Sequence, residues 1–467
     1  MNRRRRLHVA IAASAAAALT LTACTGKPGD NGTDPDSNEQ AASIVFWTPQ
    51  VTPDRLDAQE QIAAAFEDET GIAVEVVPLG AADQNQALVT GAASGDVPDV
   101  ILHAPDQTAA WRDQGLLDTE LAQSIVDELG VDTFNERALE FVSLAGEIGA
   151  VPSDGWVHLI TYRADLFEAA GVDVPTNLDE LADAAAASVH SSESIVTSPS
   201  STSWQPAARK IDSTASVDDG VPGWVPSAMP ETPVSASAAA GFKRLADSSL
   251  AGQFDVPSAR AAYLNGTAAM LLFSTHILDE LAGLDPANPP TCAECADNPA
   301  FLAENSQFIT VLDESNPAQY GSTLNFGVPV GANATEARMF IEYMLNDGYI
   351  DNLAMATEGR LPLRLGTPDE PTRFIDEWGT LPFGVERAEG LSVADVYGED
   401  VVASILDGMN AISRWGYGTP EAPLAGAAFS QNVLSQNLAQ LLAGTPADEV
   451  TATMAEQVRA LQVELGP

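Results

Sequence analysis

Residues 44–102 read IVFWTPQVTPDRLDAQEQIAAAFEDETGIAVEVVPLGAADQNQALVTGAASGDVPDVIL, and this stretch decides the fold. It opens with Ile44-Val45-Phe46-Trp47, a short continuous apolar run that is typical of a buried parallel strand. Thr52-Pro53 then supplies a helix start, because Thr is a good N-cap and Pro is tolerated at the first helical position. Gly71 supplies the helix end. Residues 44–71 therefore predict a strand followed by a helix.

The same alternation occurs twice more. Strands are predicted at 74–79 and 100–102, and helices at 84–93 and 108–117. Three successive β-α units indicate a parallel sheet with right-handed crossover connections. The fold class is therefore predicted to be α/β.

The rest of the chain is more varied. Further strands are predicted at 148–153, 159–163, 268–273 and 324–330. We interpret Ser153-Asp154-Gly155 as a turn that precedes Trp156 and separates the first two of these strands, because Ser, Asp and Gly favour turns. Residues 191–203 and 212–233 are rich in Ser, Thr, Pro, Gly and Asp and are predicted to be irregular. From residue 335 the pattern is mostly helical, including a helix at 429–442.

Composition excludes some classes of function. The chain has 467 residues and 45% hydrophobic residues, which suits a large globular core. It has 66 acidic residues against 21 basic ones, a net charge of −45. Such a surface repels phosphate backbones, so a nucleic-acid partner is not expected. The acids are scattered, which favours a well-solvated surface over a site for a cationic ligand.

The first residues predict export. A basic cluster, Arg3 to Arg6, precedes an apolar run at 9–19 that is too short to span a membrane. Leu21-Thr22-Ala23-Cys24 resembles the bacterial lipobox, which implies cleavage before Cys24 and lipidation of that residue. An ordinary signal peptide remains an alternative, as does a twin-arginine signal. Residues 1–23 are thus a predicted lipoprotein signal peptide and 24–42 a flexible tether at the extracellular face of the membrane.

Two further cysteines form a Cys-Ala-Glu-Cys pair, Cys292 and Cys295, after two prolines. In an oxidising compartment this pair predicts a local disulfide. A redox motif and a zinc site remain alternatives, although no His or Cys lies nearby in sequence to complete a metal site. No metal site is predicted.

Motifs of known catalytic machinery are missing. The sequence has no Gly-x-Ser-x-Gly, no His-Glu-x-x-His and no Walker loop. Four histidines beyond the signal peptide are well separated in sequence: His103, His158, His190 and His276. An enzyme and a cofactor are therefore not expected, but a pair of glycosidase carboxylates remains open.

Polar and aromatic side chains follow the predicted strands. Parallel sheets of this kind bind ligands beyond the carboxyl ends of their strands. Trp47, Asp83, Asn85, His103 and Asp106 occupy those loops and are candidate ligand residues. Trp156 and Trp415 are candidate stacking faces for sugar rings, and Asp154 is a candidate partner for hydroxyl groups. Ordinary core packing is the alternative for each Trp.

The chain resembles the extracellular solute-binding lipoproteins of carbohydrate ABC transporters, a maltose-binding-protein-like family. The resemblance begins with the lipobox and the tether. It continues in segments 44–49, 83–87, 94–100, 152–156, 162–167, 358–364 and 414–417. It covers most of the chain after the signal peptide.

The resemblance implies a two-lobe, type II periplasmic-binding-protein-like fold, hinge-connected, with a helix-rich C-terminal part. Lobe one would take 43–153 and 258–332, and lobe two 154–257 and 333–467. It also implies a carbohydrate held between the lobes and delivered to ABC transporter permease subunits by a monomeric protein. His276, which follows the strand that returns to lobe one, and Arg364 become additional candidate ligand residues.

Several alternatives stay open. Within the solute-binding class, the ligand could be an amino acid, a peptide or a polyamine. Outside it, a secreted glycoside hydrolase or a cell-surface scaffold is possible in principle. The sequence departs from the family between Val189 and Pro233, where a cleft-lining segment is polar and rich in Pro; Trp204 or Trp224 would be the substitutes there.

Replacing Cys24 tests the predicted anchor. Cys24→Ala should abolish incorporation of labelled fatty acid and release the protein from the membrane fraction into the medium, because the mature chain would lack its lipid. Fluorography measures incorporation of the labelled fatty acid, and Western blotting of fractionated cells measures release from the membrane. Cys292→Ala is the matched control and should remain with the membrane. Unchanged membrane association of the Cys24 variant would contradict the lipoprotein prediction.

Overall fold

The structure is a computed structural model. It describes residues 42–144, 146–189, 194–197, 233–249, 255–315, 317–385 and 390–465. The chain divides into two units, Met1–Gln40 and Ala41–Pro467, and every described residue belongs to the second. The predicted signal peptide, Cys24, Trp204 and Trp224 lie outside the described residues. Among the described helices, none combines the length and the apolar character needed to cross a bilayer.

Eleven strands and nineteen α-helices are described. The strands are β1 (Ser43–Thr48), β2 (Ala73–Pro78), β3 (Val100–His103), β4 (Ser143–Leu144), β5 (Glu147–Ile148), β6 (Val151–Arg163), β7 (Ser194–Thr197), β8 (Ala268–Ser274), β9 (Ser306–Ile309), β10 (Gly321–Gly327) and β11 (Leu361–Pro362). The helices are α1 (Pro53–Thr70), α2 (Ala81–Ser94), α3 (Pro105–Asp113), α4 (Thr119–Leu129), α5 (Glu136–Val142), α6 (Ala164–Ala170), α7 (Leu178–Val189), α8 (Pro233–Asp247), α9 (Val256–Leu264), α10 (Ile277–Leu281), α11 (Phe301–Asn305), α12 (Ala334–Met344), α13 (Tyr349–Ala354), α14 (Arg373–Trp378), α15 (Val393–Tyr397), α16 (Glu399–Asn410), α17 (Ala422–Ser430), α18 (Val433–Leu442) and α19 (Ala447–Leu465).

The three N-terminal β-α units have the predicted architecture. β1 lies between β2 and β3 and is parallel to both. Helix α1 begins with Pro53 and ends at Gly71, whose φ of 76° is left-handed and whose N–H donates to the Glu67 carbonyl. A Gly suits this position because a side chain would strain a positive φ. The α/β prediction is confirmed.

Strand β6 differs from the prediction. It runs without a break from Val151 to Arg163, so Ser153-Asp154-Gly155 is strand interior and the predicted turn is wrong. Gly155 pairs with Thr323 of β10 and Leu361 of β11. A Cβ on Gly155 would lie 2.7 Å from the Ser322 carbonyl oxygen. The glycine therefore serves close backbone packing, and not a reversal of the chain.

The sheet is organised around β6. Its strand order is β2-β1-β3-β10-β6-β8-β7, and β9 and β11 also pair with β6. The N-terminal half of β6 pairs with β10 and β11, and the C-terminal half with β8 and β9. One strand thus joins two regions of sheet. The predicted lobe boundaries stay a prediction; the pairing of β8 with β7 favours a version in which β8 lies with the second lobe.

Two further segments differ from prediction. Residues predicted to be irregular include β7, where Ile195-Val196 pair with β8 in parallel register, because β-branched residues favour strands. The single helix predicted at 429–442 is interrupted at Asn432, whose φ is 57°. Asn tolerates the left-handed conformation better than other residues with side chains. This break separates α17 from α18.

A smaller hydrophobic cluster surrounds the cysteine pair. Cys292 and Cys295 form a disulfide bond, and both are buried beside α9, β8 and α10. Gly266 packs against this bond, since a Cβ there would lie 3.2 Å from the Cβ of Cys292. The bond therefore fixes the loop that returns from α10 to α11 against the end of β8.

Helix α10 contains two buried carboxylates, Asp279 and Glu280. Two more, Asp285 and Glu358, are buried near them. Arg260 donates to Glu280 at 2.6 Å, and the Glu280 N–H donates to Asp279 at 2.8 Å. Burial, and then the negative charge of Glu358, raises the pKa of Asp279 to about 9. Asp279 is therefore neutral in the folded protein at physiological pH.

Gly155→Ala tests the packing of β6. The added methyl would meet the Ser322 oxygen and Met409 Cε, at 2.7 and 2.9 Å. We expect a loss of about 1–3 kcal/mol in the free energy of unfolding, measured by urea denaturation. Gly80→Ala is the control, because a Cβ there meets nothing within 4 Å. Equal stability of the two variants would contradict the close packing.

Asp279→Asn tests the buried acid. The folded state raises this pKa above the unfolded value of 3.8, so the folded state binds the proton more tightly. The stabilisation is full below pH 4 and is lost as pH rises toward 9. Asn cannot ionise, so it does not lose stability as pH rises. The Tm of the variant minus that of the wild type should therefore be higher at pH 8 than at pH 5 by about 3 °C or more. Asp113→Asn, on the surface, is the control; an equal gain at both pH values would refute the assignment.

Candidate ligand-binding site

One face of β6 presents half-exposed aromatic side chains where the two regions of sheet meet. Alternate residues of a strand point to the same face, so Asp154, Trp156 and His158 share one. Trp156 and His158 are half-buried, whereas Gly155 and Val157 on the opposite face are buried. Their face is the part of β6 that can meet a ligand. We call Trp156, His158 and Tyr320 the aromatic face.

The aromatic face is held by its own contacts. The rings of Trp156 and His158 stack with centroids 5.3 Å apart and planes 26° apart. Tyr320 lies 5.8 Å from Trp156 and 4.9 Å from His158, and its carbonyl accepts a 2.8 Å hydrogen bond from the His158 N–H. Burial lowers the pKa of His158 to about 3, so the imidazole is neutral. Its Nδ1 is buried with no hydrogen-bond partner among the described residues.

Arg414 borders the aromatic face on the β10 side. Its guanidinium lies 5.5 Å from the centre of the Tyr320 ring, 4.9 Å from Tyr417 and 5.3 Å from Phe429. Asp106, in the first turn of α3, approaches to 3.9 Å. Helix α3 also packs against α17, so this border joins the N-terminal sheet to the C-terminal helices.

His276 borders the aromatic face on the β8 side. It follows β8 directly and precedes α10. Its ring lies on the backbone of Gly359, where a Cβ would be only 1.9 Å from Nε2. Burial, and then the positive charges of Arg55 and Arg360, lowers the pKa of His276 to about 3. The site therefore contains a second neutral imidazole.

A buried ion pair closes this side. Arg360 donates to Asp154 at 3.1 Å, and both side chains are at most 3% exposed. Ser153 Oγ donates to the same carboxylate at 2.9 Å, and Asn352 Nδ2 lies 3.4 Å away. Such a pair is costly to break, because each charge would be left buried and alone. Asp154 thus fixes β11 and α13 against β6.

The structure brings some predicted residues together. Asp154, Trp156 and His276 lie on or beside the aromatic face, and Asp106 reaches it through Arg414. Their contact with a ligand stays a prediction. Trp156 was expected at a turn, but it reaches this face through strand alternation.

Several other predicted residues are packed or hydrogen-bonded within the protein. His103 is completely buried, its ring centre lies 4.8 Å from that of Trp111, and burial lowers its pKa to about 4. Trp47 packs beside the same Trp111. Asn85 is exposed, yet its Oδ1 accepts from Trp111 Nε1 at 2.8 Å. Asp83 is exposed on α2.

Arg364 and Trp415 are also placed in the interior. Arg364 donates to Asn346 at 2.6 Å and lies over the Phe374 ring at 5.4 Å. Burial lowers its pKa to about 10. Trp415 is 4% exposed and belongs to the main core. Both residues stabilise the C-terminal part, and their roles as ligand residues stay predictions.

Sequence reasoning missed four residues of the site: His158, Tyr320, Arg360 and Arg414. His158 could have been found, because it lies two residues after Trp156 in a strand. Arg414 was visible as a neighbour of Trp415 but was passed over for the Trp. Arg360 lies in segment 358–364, from which Arg364 was chosen in its place, and Tyr320 had no local signal. The pairing of β10 and β11 with β6 brings both here.

No metal centre is evident in the part of the chain that the structure describes. No group of three or more His, Cys, Asp or Glu side chains there is arranged to hold a metal ion. The two described cysteines are bonded to each other, so neither offers a thiolate.

Comparison with known proteins places this geometry in context. A protein of Escherichia coli (strain K12), "Putative ABC transporter periplasmic-binding protein YcjN", is 25% identical over 412 residues, covering 79% of this chain and 88% of that protein. The GacH receptor of Streptomyces glaucescens, solved unliganded and with acarbose, matches with a TM-score of 0.65 and 18% identity over 91% of this chain and 99% of its own.

Two further solved structures are similar. Maltose-bound MalE3 of T. maritima matches with a TM-score of 0.65 and 16% identity, over 90% of this chain and 100% of its own. The galacto-N-biose-/lacto-N-biose I-binding protein of Bifidobacterium longum matches with a TM-score of 0.64 and 14% identity, over 91% of this chain and 98% of its own. These likenesses show a shared fold. Residues 61–382, more than half of the chain, match the bacterial extracellular solute-binding proteins. The chain therefore belongs to the family of bacterial extracellular solute-binding proteins.

Proposed function

We propose that this protein is the lipid-anchored substrate-binding component of an ABC importer and that its ligand is a sugar or an oligosaccharide. The observation that supports the sugar most directly is the aromatic face. Trp156 offers a half-exposed indole in the middle of a sheet, between neutral His158 and Tyr320. Apolar faces of sugar rings stack on such surfaces, while nearby polar groups take the hydroxyls.

Polar groups stand at both borders of the aromatic face. Asp106 and Arg414 stand on one side, and His276 lies on the other. A ring on Trp156 would therefore meet hydrogen-bond donors and acceptors at both edges, and ligands held in this way gain specificity from a few polar contacts. The neighbours GacH, MalE3 and the B. longum protein are sugar-binding by their names, which supports the same ligand class.

We also propose delivery to a permease, which the solute-binding family and the name of YcjN support. We propose that the two regions of sheet joined by β6 belong to two lobes that close on the ligand. Ligand would shift the balance toward the closed state, since it would contact both sides at once. The proposal includes no covalent step. The protein would act as a monomer, held by Cys24 and its tether at the outer face of the membrane.

A thermal-shift panel tests the ligand class. Mono- and oligosaccharides should raise Tm, whereas amino acids, peptides and polyamines should leave it unchanged, because ligands stabilise only the state that binds them. Stabilisation by amino acids, peptides or polyamines and by no sugar would overturn the carbohydrate assignment. Release of reducing sugar from an oligosaccharide would instead indicate a hydrolase.

Variants of Trp156 test the site. Trp156→Ala should raise the Kd for the sugar that binds most tightly by about tenfold or more, because about 1.4 kcal/mol of stacking is lost. Trp156→Phe should retain most of the affinity, because it keeps an aromatic face. Calorimetric titration measures both. An unchanged Kd for the Ala variant would remove Trp156 from the site.

A further inference from the structure

The strongest unexplained feature of the site is the environment of Arg414. Its side chain is 3% exposed, and its Nε is buried without a hydrogen-bond partner among the described residues. The nearest carboxylate, Asp106, is 3.9 Å from Nη1, which is beyond hydrogen-bond length. Buried charges are normally paired and hydrogen-bonded, because removing them from water is costly.

Several other arginines in the described part of the chain are paired closely with carboxylates, whereas Arg364, which is also buried, donates to backbone and amide oxygens. Arg260 reaches Glu280 at 2.6 Å and Arg360 reaches Asp154 at 3.1 Å. Acidic partners are abundant, with 66 acidic residues against 21 basic ones. The long contact of Arg414 is therefore not explained by a shortage of carboxylates. A bound anionic ligand would supply the close partner that the described residues do not.

The three aromatic rings around Arg414 compensate only part of the cost of burying its charge. Tyr320, Tyr417 and Phe429 lie 4.9 to 5.5 Å from the guanidinium carbon. Cation–π contacts act on the faces of a guanidinium, so its in-plane N–H groups need separate partners, and Nε lacks one among the described residues. Those N–H groups form a fork that matches a planar carboxylate with two parallel hydrogen bonds.

Arg414 is placed to meet a substituent of a stacked ring. Tyr320 lies between it and Trp156, with the Tyr320 ring 5.8 Å from the indole and 5.5 Å from the guanidinium carbon. A sugar ring on Trp156 would thus direct one edge toward Arg414. A neutral hydroxyl at that edge would occupy one donor but would not balance the buried charge.

We propose that the saccharide bound on the aromatic face has an anionic group, a carboxylate as in uronic acids, which Arg414 binds through a bidentate ion pair. The inference rests on the proposed carbohydrate function and names the ligand class within it. Without ligand, Asp106 is then only a weak partner of Arg414, at 3.9 Å. A phosphate ester has the same charge chemistry, so the test includes both sources.

The experiment compares matched acidic and neutral sugars by calorimetry at about 0.15 M salt, where exposed charges more than about 8 Å away are largely screened and the effect of the acidic surface is reduced. The probes are glucuronate, galacturonate and their dimers and trimers, each against its carboxyl-reduced counterpart, with glucose 6-phosphate as the phosphate probe. We expect a uronate to bind at least about tenfold more tightly than its reduced counterpart. Tighter binding of the sugar phosphate than of every uronate would overturn the carboxylate assignment.

Three variants locate the preference. Arg414→Gln should reduce the acidic-to-neutral preference to about onefold, a ratio that a general loss of stability does not create. Asp106→Asn should tighten binding of the acidic sugar by about threefold, because it removes a competing negative charge, and it tests the idea even if Arg414→Gln fails to fold. Arg373→Gln, in a surface pair with Glu377, should leave the preference unchanged.

The outcomes separate the two proposals. Neutral sugars that bind as tightly as acidic ones would overturn the anionic ligand and leave the carbohydrate function standing. A uronate preference that persists in Arg414→Gln, or equal weakening of acidic and neutral sugars in Asp106→Asn, would also overturn the role of Arg414. Failure of every saccharide to bind would overturn the proposed function itself.

Discussion

Backbone pairing along β6 is the constraint on which the rest of the structure depends. Its residues hydrogen-bond to β10 and β11 in one half and to β8 and β9 in the other. Any movement of one region of sheet against the other must be absorbed in this strand or in its neighbours. Because Trp156 and His158 lie near the change of partners, the proposed ligand contacts lie where any such movement would be absorbed.

The first half of the fold was accessible from sequence because its signals are local. The apolar run at Ile44, the proline at residue 53 and Gly71 each act on their own segment, and the structure follows them. β6 was not accessible in the same way. Gly155 has the local preference of a turn residue, but its lack of a side chain is used for contact with Ser322 and Met409, which are distant in sequence.

The candidate site shows the same division. Trp156, Asp154 and His276 could be named from position and chemistry, whereas Tyr320 and Arg360 reach the site only through strand pairing. Arg364 illustrates the opposite case. Its sequence context suggested a cleft, but its guanidinium donates to Asn346 and covers Phe374 in the interior. One sequence does not tell which arginines point inward, because the (CH₂)₃ stem allows either course.

The contact between His276 and Gly359 has an evolutionary consequence. The imidazole occupies the volume in which any side chain at residue 359 would begin. Residue 359 therefore cannot gain a side chain alone, because a methyl there requires the residue at 276 to shrink or turn away. Such pairs are expected to change together among descendants of this chain, and each joint change would remodel one wall of the site in a single step.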